Sequence, residues 1–154
     1  MWGEARGYGE QGMLAIGCVI LNRVKWDHHA TGHGIHGVCH KHKQFSCWNP
    51  GDNNYQKMLD LAKLDDHSPD WQAWVLANQI AGKLLAGAYK DITGGATHYH
   101  TETMVAYWVG DMIPTGVMFG HIFYKIAPHH PHHNHRSHLP IKNHHHGKSP
   151  HKNH

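Results

Sequence analysis

Gly12 to Val24, GMLAIGCVILNRV, places Met13, Ile16, Ile20 and Val24 at helical spacing, with Val19 and Leu21 flanking them. Apolar residues so distributed predict a helix whose apolar face is too wide for a surface position, so most of it should be buried. The segment is nevertheless too short to cross a membrane. Nowhere does the chain carry the run of about 18 apolar residues that a spanning helix needs.

The other elements are fainter. Residues 25–54 hold five glycines or prolines and many histidines with little periodicity, which reads as a long, loop-dominated connection of a kind that is usually functional. A short helix is expected over Tyr55–Leu64, with Tyr55, Met58, Leu59 and Ala62 on one side. A third helix should start at Ser68 as cap, Pro69 as first residue and Asp70 at the positive end of the dipole. Trp71, Trp74, Val75, Ile80 and Leu84 would form its packing face, and Gly87 would stop it. Beyond Gly87 the period shortens to two. Thr93, Gly94 and Gly95 mark a tight turn, and ATHYHT and GHIFYK (Gly120 to Lys125) read as short strands. The expected architecture is mainly α with a small β element, an α+β class.

Composition sets the domain boundary. Of 21 histidines in 154 residues, eleven follow Pro128, in a segment with no Asp or Glu and only Leu139 and Ile141 as large apolar side chains. Such a segment cannot bury enough surface to offset its ordering entropy. A folded domain is therefore expected over residues 1–127 and a disordered histidine-rich tail over 128–154. The formal charge of +3 counts histidine as neutral, so the tail gains charge as pH falls below about 6.5. Basic residues do not cluster with aromatics and no recognition motif is present, which argues against nucleic acid as a partner. The N-terminus has no signal-peptide pattern, so no export signal is read in this chain.

Three cysteines, Cys18, Cys39 and Cys47, lack CxxC spacing and suggest neither a zinc ribbon nor a disulfide framework. Cys18, in the apolar helix, reads as a free buried thiol, and Cys39 and Cys47 can pair if the chain is exported. Among only three glutamates, Glu4, Glu10 and Glu102, Glu4 stands in WGEARG between an aromatic and an arginine. A carboxylate so placed can act as a general acid, or simply favour a helix dipole. QFSCWN offers a sugar ring Phe45 and Trp48 to stack on, with Gln44 and Ser46 as polar partners; the same aromatics can equally form the loop's own core. In THYH, alternation puts Thr97, Tyr99 and Thr101 on one face and His98 with His100 on the other. Two histidines on one face can ligate zinc if a third ligand such as His121 joins them; otherwise one face packs and the other hydrogen-bonds within a groove.

WGEARG, the following apolar helix, QFSCWNPGD, TGGATHYH and GHIFYK, in that order, resemble the SleB-type cell wall hydrolase family, which includes spore cortex-lytic enzymes and phage endolysin-like proteins. The likeness spans residues 2 to 125. It implies a lysozyme-like fold acting on peptidoglycan, with Glu4 as catalytic acid in the family's E-A-R motif. It also implies a helix ahead of that motif, where this chain has three residues, so a domain lacking its first helix is expected. Ile92 replaces a proline common before TGG, and the tail has no counterpart.

A two-carboxylate glycosidase needs a second acid about 5 to 9.5 Å away. Asp52 alone among the other carboxylates lies in a matching block, and it can simply cap a turn. A lone Glu4 suffices if the muramic acid 6-hydroxyl attacks its own anomeric carbon, the lytic transglycosylase route. Gln44, Phe45, Ser46, Trp48, Thr97, Tyr99 and His100 would bind the glycan, without cofactor, in a monomer acting at the cell wall. Two alternatives remain: an N-acetylmuramoyl-L-alanine amidase with zinc on His98, His100 and His121, and a non-catalytic wall- or metal-binding module.

Overall fold

The computed structural model describes residues 1–128. The expected tail, apart from Pro128, lies outside them. The described chain forms α1 (Trp2–Ala5), α2 (Gly9–Trp26), α3 (Gly34–His40), α4 (Asn53–Leu59), α5 (Pro69–Leu85), β1 (His98–Thr101), β2 (Ile113–Met118) and β3 (His121–Lys125). Tight 3-10 turns cover Arg6–Tyr8, Ser46–Trp48 and Leu61–Lys63. This is the α+β architecture expected.

The apolar helix is α2, extended by a few residues at each end, and it is the centre of the molecule. Met13, Ile16, Cys18 and Ile20 join one core cluster with Ile80, Leu84 and Ala77 of α5, Val38 of α3, and Trp2 and Ala5 of α1. Ala15 and Val19, on another side, pack against Ala96 and Phe123 of the β region. Close approach to α5 depends on Gly17, where an added Cβ would run into Leu84 and come within 2.7 Å of the Met1 sulfur. Cys18 is free and buried, as expected, and burial pushes its thiol up to about 11. Cys39 and Cys47 are likewise free.

Helix α5 ends in a Schellman motif. Gly87 adopts φ +72°, its N–H donates to Leu84 O (3.1 Å), and the Ala88 N–H donates to Lys83 O (2.9 Å). Its start is at Ser68 with Pro69 in the first turn, but the serine side chain makes no capping bond. The buried face follows expectation at Ile80 and Leu84, with Trp74 packed against the same core, and departs from it at Val75 and Ala77. Ala77, Ile80 and Leu84 are its buried residues, whereas Val75 is 41% exposed. Helix α4 is shorter than predicted and leaves Leu59 exposed; burial passes to Leu61 in the following turn. Asp52 caps α4, accepting from the Asn54 N–H at 2.8 Å.

Two elements escaped the sequence. Helix α3 lies inside the presumed loop, glycine- and histidine-rich, with Val38 as its one buried side chain. Strand β2 contains Pro114 and Gly116, both strand-weakening, and tolerates them because it is a sheet edge with a register shift between Pro114 and Gly116. The order is β1-β3-β2, antiparallel throughout. Phe119 (φ 53°) and Gly120 (φ 67°) form the two-residue turn between β2 and β3, a geometry matched to strand twist.

Strand β1 is tied to α2 through Asp91. Its carboxylate accepts from Asn22 Nδ2 (2.9 Å), the Thr93 N–H (2.8 Å) and hydroxyl (2.6 Å), and the Gly95 N–H (3.0 Å). Burial alone would raise this carboxyl, but the bonds from Thr93, Asn22 and Gly95 outweigh it and hold it below its ordinary value. The stabilisation is thus complete above the ordinary carboxylate range, about 4, and is lost as pH falls through the lower folded value. Asp91→Asn should cost roughly 1–3 kcal/mol at pH 7. Thermal melts from pH 7 to 2 should show the gap from wild type holding at neutral pH and closing below about pH 4.

Candidate functional site

An open cleft of about 510 Å³ runs beside β1, lined by Glu4, Arg23, Thr31, Lys43, Gln44, His98, Tyr99, His100, Trp108 and His121 among others. Glu4 also lines a smaller neighbouring pocket of about 110 Å³ with Trp2, Phe45, Cys47 and Trp48, so its carboxylate stands between the two spaces.

The short helix carrying Glu4 is firmly held. Trp2 Nε1 donates to Asp70 O at 3.0 Å, and the Trp2 ring meets Trp74 edge-on. The Arg6 guanidinium lies 4.1 Å from the Trp2 ring centroid, with Nε on Asp70 Oδ1 (2.9 Å) and Nη1 on Asn54 Oδ1 (2.8 Å). Asn54 Nδ2 then donates to Gly3 O at 2.9 Å. Gly3 has to be small, since a Cβ there would stand 2.5 Å from the Cys47 Cβ.

The Tyr99 hydroxyl donates to Glu4 Oε2 at 3.1 Å. Glu4 Oε1 is buried and has no hydrogen-bond partner among the described residues. Burial first, and then the facing Glu4, pushes the Tyr99 phenol well above its ordinary value, so it stays a donor. Among the residues lining the larger cleft, Glu4 is the one carboxylate.

Of the expected glycan contacts, Gln44, Tyr99 and His100 reach this cleft, and Phe45 and Trp48 line the smaller pocket. Phe45, Ser46 and Thr97 do not reach the larger cleft. Phe45 belongs to the core, where it packs beneath Arg23, and so follows the loop-core reading rather than the stacking one. Ser46 points into solvent at the start of a 3-10 turn. Thr97 is buried and serves the protein: its carbonyl accepts from Arg23 Nε (2.6 Å) and its hydroxyl bonds His98 Nδ1 (2.8 Å).

Among the described residues, the three histidines of the zinc alternative are not grouped as a ligand set. Register pairs His98 with Tyr124, His100 with Ile122 and Thr101 with His121. Alternation therefore places His121 on the opposite face from His98 and His100. His100 donates from Nδ1 to Thr101 O (2.8 Å) and accepts at Nε2 from the Tyr124 hydroxyl (2.9 Å), while His121 Nδ1 donates to Phe119 O (2.6 Å). Among the described residues no three His, Cys, Asp or Glu side chains are grouped to hold a metal ion.

Sequence reasoning missed Arg23 and Trp108. Arg23 was hidden as the polar end of an apolar helix, and Trp108 lies in a stretch with no periodic signal. Trp108 packs against His98, His100 and Tyr124, with ring centroids 5.6, 5.7 and 6.2 Å away, and helps form the cleft wall.

The sequence pattern of the Cell Wall Hydrolase family matches residues 7–124, beginning three residues after Glu4. Among solved structures, the chain resembles the catalytic domain of the germination-specific lytic transglycosylase SleB from Bacillus anthracis, with TM-score 0.56 and 22% identity over 80% of this chain and 86% of that one. The catalytic domain of the Bacillus cereus SleB protein aligns with TM-score 0.48 and 24% identity over 80% and 82% of the two chains. At these identities the likeness is one of fold. No curated protein sequence matches the chain.

Two outcomes test this geometry. Arg6→Met keeps an apolar contact on Trp2 but removes both guanidinium bonds, and because the pair is partly exposed the expected cost is about 1–2 kcal/mol in denaturant unfolding. His98 is held down to about 4 by burial and then by Arg23. The unfolded chain therefore takes up a proton that the folded chain refuses, and stability should fall as pH drops from about 6.5 toward 4. A His98 NMR titration midpoint near 6.5 would contradict this.

Proposed function

Because the chain belongs to the cell wall hydrolase family, we propose that it cleaves the glycan strand of peptidoglycan, with Glu4 as its general acid and base. The observation that carries this reading is Glu4 itself: among the described residues it is the one carboxylate on the larger cleft, with Oε2 held by Tyr99 and Oε1 without a protein partner. An acid that must donate and then recover a proton needs a fixed orientation and one free oxygen.

The lack of a second carboxylate among the described residues of the cleft wall favours the lytic transglycosylase route over the two-carboxylate schemes, which place a partner about 5 to 9.5 Å away. Asp52, the other candidate, is occupied as the cap of α4. In the proposed reaction the Glu4 carboxyl gives its proton to the glycosidic oxygen as the bond to the anomeric carbon breaks. The muramic acid 6-hydroxyl then bonds to that carbon and returns its proton to Glu4, leaving a 1,6-anhydro end and no consumed water. Gln44 supplies an amide for sugar hydroxyls, and Trp108 an apolar wall for a ring face. The description of the Bacillus anthracis neighbour as a lytic transglycosylase agrees with this reading.

Glu4→Gln removes the transferable proton and should lower the release of soluble glycan fragments by about 10²- to 10⁴-fold. Mass spectrometry of digested sacculi should find anhydro-muramyl ends. Undiminished release by Glu4→Gln would overturn the assignment of Glu4. Reducing ends would indicate a hydrolase instead, and free stem peptides an amidase.

A further inference from the structure

We propose that Arg23 is the residue by which the cleft distinguishes muramic acid from glucosamine, binding an oxygen of the 3-O-lactyl group. The inference rests on the glycan-cleaving reading above and assigns a specificity role within the same cleft.

Arg23 is 4% exposed yet lines the cleft. Its guanidinium lies 5.3 Å from the Phe45 ring centroid, and Nε donates to Thr97 O at 2.6 Å. Those contacts fix the group and use one of its five donors. Nη1 is buried with no hydrogen-bond partner among the described residues. The ion pairs among the described residues join Arg6 to Asp70, His33 to Asp27 and Lys63 to Asp60, so none involves Arg23.

An arginine does not escape burial by losing its proton. Glu4 shares the cleft and attracts the guanidinium without forming an ion pair with it, so the cost of holding the group out of water is offset only in part until a strong acceptor arrives. A structural need to hold the Thr97 carbonyl explains Nε and leaves Nη1 unexplained. The planar fork matches a carboxylate or carbonyl oxygen far better than a hydroxyl.

Peptidoglycan narrows the choice of acceptor. Its two sugars share their N-acetyl carbonyls and differ in the lactyl ether on muramic acid. That group ends in a free carboxylate on strands stripped of stem peptide and in an amide carbonyl on substituted strands. Both present an sp² oxygen, and the carboxylate also neutralises the buried charge.

Binding titrations in the Glu4→Gln background separate these sources. Three ligands serve as probes: a tetrasaccharide of alternating N-acetylglucosamine and N-acetylmuramic acid with free lactyl carboxylates, the same oligosaccharide bearing stem peptides, and chitotetraose. Adding Arg23→Met should weaken the first roughly ten- to a hundredfold, the second by less, and chitotetraose hardly at all. Equal losses on all three ligands, or no loss on the first, would overturn the proposal. If Arg23→Met lowers the unfolding temperature, Arg23→Lys makes the same comparison with the charge kept and the fork removed, and should retain part of the preference. Failure of the glycan-cleaving reading shows separately, as free stem peptides with intact strands when the unsubstituted protein digests sacculi.

Discussion

Because α2 is covered on several sides, the polar residues at its C-terminal end are carried into the interior with it, and they become the link between the helical half and the sheet. Asn22 reaches Asp91 and Ala96 O, and Arg23 reaches Thr97 O. Two consecutive side chains thus anchor the approach to β1. Two residues on, Tyr99 leans back to Glu4. The position of the tyrosine relative to the carboxylate is therefore set by how α2 is buried.

Glu4 is fixed from the other direction by elements distant in sequence. The first turn of α5 holds Trp2 and Arg6, while α4 holds Arg6 and the Gly3 carbonyl through Asn54. Asp52 caps the same helix that presents Asn54. A short helix of four residues has little stability of its own. Here the stability is borrowed from partly buried hydrogen bonds and a cation stacked on an aromatic ring, which act together because each involves Trp2, Arg6 or their neighbours.

What was legible in the sequence follows from where the signal is local. The apolar period of α2, the Pro69 start and Gly87 stop of α5, and the turn at Gly94 and Gly95 are each set by residues close together, and all appear as expected. The α5 face was misjudged at Val75 because hydrophobicity suggested burial that Ala77, a smaller side chain able to approach α2, actually takes. Helix α3 and strand β2 carry weak local preference and exist through tertiary pairing, so neither composition nor period revealed them. At the site, Glu4 and Tyr99 stood in recognisable blocks, and the structure joins them across 95 positions. Phe45 could be read as platform or core; the deciding fact is the guanidinium above it, which no spacing in the sequence discloses. Arg23 was passed over because a charged residue near the end of an apolar helix ordinarily serves the dipole and solvent, whereas this one is buried.

The arrangement of one held and one free carboxylate oxygen bears on the stereochemistry of the proposed reaction. In a β-linked muramyl residue the departing oxygen leaves from the same face of the ring as the 6-hydroxyl that forms the anhydro bridge. Donor and acceptor duties then fall on one side of the sugar, and a single oxygen can discharge both in turn. A hydrolytic inversion would instead require a base on the far face, with room for a water between it and the ring. With Tyr99 restraining Oε2, the carboxylate has little freedom to turn toward that far face. The loss of a proton to the leaving group also leaves Glu4 negatively charged beside the oxocarbenium-like centre, at the moment when that charge is most useful. A cleft with one acid is thus sufficient for the intramolecular route, provided the muramic acid is oriented with its 6-hydroxyl toward the Glu4 carboxyl, and an anchor on the lactyl group is one way to impose that orientation.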